Sequence, residues 1–297
     1  MEENMQYDDL GTLAQLNWFP GHMAKAKRII VENLKLVDVV IELRDARIPN
    51  SSANPILKDL IGKKPHLIAL NKIDLADNNI NNKWEEYFTS MGKSVVKINS
   101  LDGKGIRQLV TVADELAKVK TAKFANKGVK PRNARVMIVG IPNVGKSTFI
   151  NKIAKRKAAA VGNKPGVTKS QQIIRVDKDF ELFDTPGVLE PKFTDINKAM
   201  NVALCGSIKM EILPLDDLFI HAIGYLAKHY PEKLKERYNL TIDLDSDWVL
   251  PVYDHISDYR HIKKLRGETD YDRVQETFFN DLKNASLGRI TWELSDE

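Results

Sequence analysis

Gly140-Ile-Pro-Asn-Val-Gly145-Lys146-Ser147 is the stretch on which the reading of this 297-residue chain turns. It fits the spacing GxxxxGK[ST]. The apolar run over 135–139 ahead of it predicts a strand, and the residues from Lys146 onward predict a helix, which is the setting that gives the spacing meaning. Glycines let successive backbone N–H groups turn inward around phosphate oxygens, and the start of a helix adds positive potential at the same point. Lys146 is expected to place its charge on the β- and γ-phosphates of a nucleotide, where charge develops during transfer. Ser147 is expected to offer its hydroxyl to Mg2+.

Working outward, Asp184-Thr-Pro-Gly187 closes a predicted strand. A carboxylate there can reach Mg2+ through water, and the Gly187 N–H can meet a γ-phosphate. Between the two motifs lies Gly162-Asn-Lys-Pro-Gly-Val-Thr168, and a threonine in such a loop can complete the metal shell when the γ-phosphate is present. Upstream, Asn71-Lys-Ile-Asp74 follows a predicted strand over 66–70. Asp74 can accept from guanine N1–H and N2–H2, whereas adenine would leave the carboxylate unpaired. Asn71 can bond the O6/N7 edge and tie to the phosphate loop, and the Lys72 stem can lie over the purine. Asn99-Ser100, ending the next strand, can supply backbone donors to guanine O6.

The order is unusual: base recognition precedes the phosphate loop, the threonine loop and the DTPG turn. A closed sheet with neighbouring ends tolerates relocated termini, so one site can still form. The fold expected is α/β, a circularly permuted P-loop GTPase domain followed by a small all-helical C-terminal domain. Helices are predicted over 23–36, 56–61, 84–91 and 106–120, strands over 37–43, 66–70, 94–98, 172–176 and 180–183, and a basic linker over 123–133. This alternation argues for a mostly parallel sheet covered on both faces. Beyond about Lys192 helical patterns take over, at 216–229, 231–238 and 270–283. The expected division is an extension over 1–16, the GTPase domain over 17–191 and the helical domain over 192–297.

One cysteine, Cys205, excludes an internal disulfide framework and a cysteine zinc site. The opening residues are acidic and polar, unlike a secretion signal, and no apolar run spans a bilayer, so a cytoplasmic protein without a membrane partner is expected. The net charge of +5 is unevenly spread: residues 99–175 hold 17 Lys and Arg against 3 acidic residues, and residues 220–297 hold 11 against 15. The basic middle points to a polyanion beyond the nucleotide, most simply RNA.

With Asn17-Trp-Phe-Pro-Gly-His-Met23, Arg44-Asp-Ala-Arg-Ile-Pro49 and Leu287-Gly-Arg-Ile-Thr291, the permuted motif set resembles the ribosome biogenesis GTPase A family, the YlqF-type GTPases. The resemblance runs from about Asn17 to the end. It implies a GTPase that binds the assembling large ribosomal subunit, through rRNA and ribosomal protein, and promotes its late maturation. It implies nucleotide contacts from Asn71, Lys72, Ile73, Asp74, Asn99, Ser100, Asn143, Val144, Gly145, Lys146, Ser147, Thr148 and Gly187. A monomer is expected. Similar GTPases with Asn at the position of Asn143 can hold a monovalent cation, so K+ joins Mg2+ as a candidate ion.

Many GTPases orient the attacking water with a glutamine directly after DxxG. Here Val188 and Leu189 stand there, and neither hydrogen-bonds. His22, after the flexible Gly21, is the candidate in cis, and a structural histidine at a helix start is the alternative. Two other classes stay open: a GTP-gated binding switch, and a GTPase of RNA processing or modification.

Overall fold

The computed structural model describes residues 21–125, 133–154, 172–176, 180–185, 187–189, 193 and 195–295. Its first part alternates helices and strands: α1 (Gly21–Leu34), β1 (Val39–Asp45), α2 (Pro55–Ile61), β2 (His66–Asn71), α3 (Asn78–Ser90), β3 (Ser94–Lys97), α4 (Ile106–Ala125), β4 (Ala134–Val139), α5 (Lys146–Ile153), β5 (Gln172–Val176) and β6 (Phe180–Asp184). Helices follow: α6 (Ile196–Leu204), a 3-10 turn (Met210–Ile212), α7 (Leu215–His229), α8 (Pro231–Tyr238), α9 (Val249–Tyr259) and α10 (Tyr271–Lys283).

The six strands form one sheet in the order β3-β2-β1-β4-β6-β5. Five run parallel, and β5 pairs antiparallel with β6 as a hairpin at the edge. The central strands are buried on both faces, so Val39, Val40, Ile41, Val136, Met137 and Ile138 read as continuous apolar runs rather than alternating ones. Because the five strands are parallel, their carboxyl ends lie along one edge, where open α/β sheets bind ligands. Asp45, Asn71, Gly140 and Asp184 all stand at or just beyond that edge.

Several boundaries differ from the sequence expectation. Strand β1 runs on through Arg44 and Asp45, since both charges have partners, Asp45 fully buried and Arg44 partly so, and apolar periodicity cannot see them. Helix α3 starts at Asn78 rather than at 84, because the Asp77 side chain accepts from the N–H groups of Asn79 and Ile80 and so caps an asparagine-rich first turn. Helix α4 takes in 123–125 of the expected linker, and 126–132 lie outside the described residues. Helices α6 and α9 were not expected. In α9 Pro251 sits in the first turn, where no intrahelical N–H bond is lost.

The C-terminal helices do not stand apart. Phe219 of α7 stacks on Tyr253 of α9 at 4.3 Å and meets Phe278 of α10 edge-on at 5.0 Å. This apolar cluster continues through Val202, Leu189 and Phe149 to Val136 and Ile41 of the sheet. Among the described residues, no helix is long and apolar enough to cross a membrane.

Candidate nucleotide-binding site

Strand β4 leads into Gly140–Gly145 and then into α5, as the spacing predicts. Gly145, at the start of α5, has φ of 102°, a left-handed conformation that favours glycine. A Cβ there would collide with the Asn71 amide. At Gly187 a Cβ would come within 2.9 Å of Lys146 Nζ and 3.0 Å of Pro142. The phosphate loop is therefore bracketed by the end of β2 on one side and by the DTPG turn on the other. Motifs far apart in sequence converge on one loop, as the permuted order requires.

On the base side most of the polar groups are already paired, Asp74 Oδ1 excepted. Buried Asn71 donates from Nδ2 to Val144 O at 2.8 Å, and its Oδ1 accepts from Ser100 N at 3.0 Å and Ser100 Oγ at 2.8 Å. One amide thus ties the phosphate loop to the turn after β3. Asn99 Oδ1 accepts from Leu101 N and shapes the same turn. Lys72 has φ of 64°, and its ammonium sits 2.8 Å from Asp45 Oδ2. Arg47 grips the same carboxylate through Nε at 2.9 Å and Nη2 at 2.7 Å. Burial alone would raise the Asp45 pKa, but these two cations outweigh it and hold the carboxyl well below the usual range. Ile73 N donates to Ile98 O at 3.5 Å, and Asp74 follows with Oδ1 buried and without a hydrogen bond among the described residues. An oxygen left so is what an incoming guanine N–H would satisfy.

On the phosphate side the charges are not paired in this way. Lys146 is buried, and its Nζ donates to Gly140 O at 3.1 Å and Ile141 O at 2.8 Å, the carbonyls of its own loop. Burial pulls its pKa down to about 8, with nearby Asp184 opposing. Asp184 is 1% exposed, and neither carboxylate oxygen has a hydrogen-bond partner among the described residues. Burial pushes its pKa up to about 6, only partly offset by the Lys146 ammonium. Ser147 and Thr148 are half-buried in the first turn of α5. An orphaned carboxylate near Lys146 of the phosphate loop fits a hard cation that takes oxygen ligands and keeps waters and phosphates in its shell. Among the described residues no cluster of three or more His, Cys, Asp or Glu could hold a metal by itself.

Asn143, with φ of 58°, donates from Nδ2 to Gly206 O at 2.8 Å, at the turn after α6. Arg47 Nη2 donates to Cys205 O of that turn at 3.0 Å. Both halves of the site therefore touch the start of the C-terminal helices. Val188 and Leu189 are buried in apolar surroundings. Thr168 lies outside the described residues, as does the His22 side chain. Sequence reasoning gave no role to Asp45 and Arg47, although their place at the end of a central parallel strand could have marked them.

A family model described as RsgA GTPase matches residues 17–194, and one described as 50S ribosome-binding GTPase matches residues 135–269. The chain is 46% identical to ribosome biogenesis GTPase A of Bacillus cereus, over 95% of each chain. It is 34% identical to mitochondrial ribosome-associated GTPase 1 of Mus musculus, over 92% of this chain and 88% of that one. Among solved structures it is similar to GNP-bound YlqF from T. maritima, with 28% identity, a TM-score of 0.62 and coverage of 92% and 99%.

Proposed function

The chain belongs to the ribosome biogenesis GTPase A family and is a GTP hydrolase, and on that premise we propose that it acts late in assembly of the large ribosomal subunit, with turnover stimulated by the ribosomal particle. The relatives' names support the ribosomal client. The observation that carries the stimulated turnover is the burial of Val188 and Leu189. Neither of these two side chains can orient a water, so on this reading the site is completed by His22 or by the particle. The basic region over 99–175 suits rRNA. Lys264 and Arg266, on either side of the fully exposed Leu265, add two basic side chains on the otherwise mildly acidic helical domain. The domains proposed are 17–191 for the GTPase and 192–297 for the helices, in a cytoplasmic monomer.

In this reading Asp74 accepts from guanine N1–H and N2–H2, and Asn71 and Ser100 fix the loops around the base. Lys146 leaves its loop carbonyls for the β- and γ-phosphate oxygens, and the backbone of 143–148 and Gly187 surrounds them. Ser147, Thr168 and, through water, Asp184 would hold Mg2+, which neutralises charge on the phosphates when bound. If K+ takes part, Asn143 is its candidate ligand.

The test is GTP turnover by the full chain with purified large or small ribosomal subunits, in K+ and in Na+ buffer. The expected result is strong stimulation by large subunits alone, and faster turnover in K+. Absence of stimulation by either subunit would leave a binding switch with another client. Equal rates in the two buffers would remove the K+ role.

A further inference from the structure

The segment Leu287-Gly-Arg-Ile-Thr291 has no part in the nucleotide site as described so far, yet it lies against that site's base side. After α10 the chain turns through Ala285 and Gly288, at φ of 54° and 75°, and runs back between the helices and the sheet. Ile290 N donates to Leu75 O at 3.0 Å. The Thr291 hydroxyl accepts from Asp77 N at 3.0 Å. These two bonds bracket Ala76 in the loop that begins at Asp74. Trp292 N then donates to Arg47 O at 2.7 Å. The Glu293 carboxylate accepts from Asn50 N at 2.7 Å and Ser51 N at 2.8 Å. One strap thus joins the loop after β2 to the loop after β1, whose Arg47 and Asp45 hold Lys72.

The far side of the strap is bonded to the helices. Thr291 N donates to Tyr230 OH at 3.1 Å, and Thr291 O accepts from Tyr225 OH at 2.9 Å and Tyr230 OH at 3.2 Å. Asn201 Nδ2 donates to Trp292 O at 3.2 Å. Thr291 is fully buried, so no solvent stands by to replace its hydroxyl. The loop it anchors carries the buried, unbonded Oδ1 of Asp74. Guanine selection needs that carboxylate where N1–H and the 2-amino group will meet it, and a small displacement spends the advantage over a base with one donor fewer.

We propose that the C-terminal strap, residues 287–293, positions the guanine-recognition loop, with Thr291 as the contact that fixes base discrimination. Thr291 does not touch the nucleotide and acts through Asp77 and Leu75. The proposal rests on the GTPase reading above. It makes the helical domain part of the base site, although base recognition comes from the opposite end of the chain.

The test uses full-length wild type, Thr291→Val and Thr291→Ser, titrated with GDP and with inosine diphosphate, which lacks the 2-amino donor. Melting temperature is recorded without nucleotide. Removing the acceptor lowers the fraction of chains with a competent loop, so the Val variant is expected to bind GDP more weakly by on the order of tenfold. Its GDP-to-IDP ratio narrows, while the Ser variant keeps wild-type values. A Val variant with the wild-type ratio, whatever its melting temperature, overturns the proposal and leaves the GTPase reading intact. Should that variant not fold, amide exchange of wild type decides. Protection of the Asp77 N–H without nucleotide is expected, and free exchange overturns the proposal. A wild type that binds neither diphosphate overturns the GTPase reading and the proposal together.

Discussion

The two halves of the nucleotide site are built in opposite ways. On the base side a single buried amide, Asn71, spends its hydrogen bonds on Val144 and Ser100, and Asp45 is saturated by Arg47 and Lys72. On the phosphate side Lys146 has only carbonyls of its own loop, and both oxygens of Asp184 lack hydrogen bonds among the described residues. A paired buried network holds geometry, and an unpaired buried charge costs stability until a ligand supplies the missing partner. Apart from Asp74 Oδ1, which is left for the base, the base side is rigid scaffolding. The phosphate side stores an electrostatic cost, which on the proposed reading Mg2+ and phosphate would relieve.

This difference predicts substitutions of opposite sign. Asn71→Ala removes three buried hydrogen bonds and leaves their partners unsatisfied, so it is expected to destabilise the nucleotide-free chain by about 3 kcal/mol, read by denaturant unfolding. No loss would mean that the base side is not rigid scaffolding. Asp184→Asn is expected to stabilise the nucleotide-free chain while abolishing turnover. A carboxyl whose pKa rises from 3.8 to about 6 on folding costs roughly 2 to 3 kcal/mol above pH 6. That cost shrinks between pH 6 and 4 and is absent below, since the acid is then protonated in both states. The advantage of the Asn variant should follow the same course in melts at stepped pH. An advantage independent of pH would contradict the assigned cause.

How far the sequence foretold this depended on range. The phosphate loop, Asn71 to Asp74 and the DTPG turn were legible because each is a local spacing at the end of an apolar run. The parallel sheet followed from the alternation of helices and strands. The Asp45–Arg47–Lys72 cluster was not legible as a cluster, because it joins the end of β1 to residues just beyond β1 and β2 through charges that burial patterns do not register. The strap was hidden for the same reason. Ile290 and Thr291 meet Leu75 and Asp77 across more than two hundred residues, and nothing local marks the pairing. Helix α3 was half missed because its cap, Asp77, rescues a first turn of poor helix formers.

The central claim is that motifs in permuted order assemble one guanine site with Asp74 as its selector. Calorimetric titration of wild type and Asp74→Asn with GDP, ADP and xanthosine diphosphate tests it most directly. Asn presents an N–H to C2 of the base, where xanthine carries an oxygen and guanine an amino group. Wild type is expected to bind one GDP per chain and no ADP. The variant is expected to lose GDP affinity by on the order of a hundredfold and to gain affinity for the xanthine nucleotide. Equal binding of GDP and ADP by wild type, or an unchanged base preference in the variant, would contradict the account.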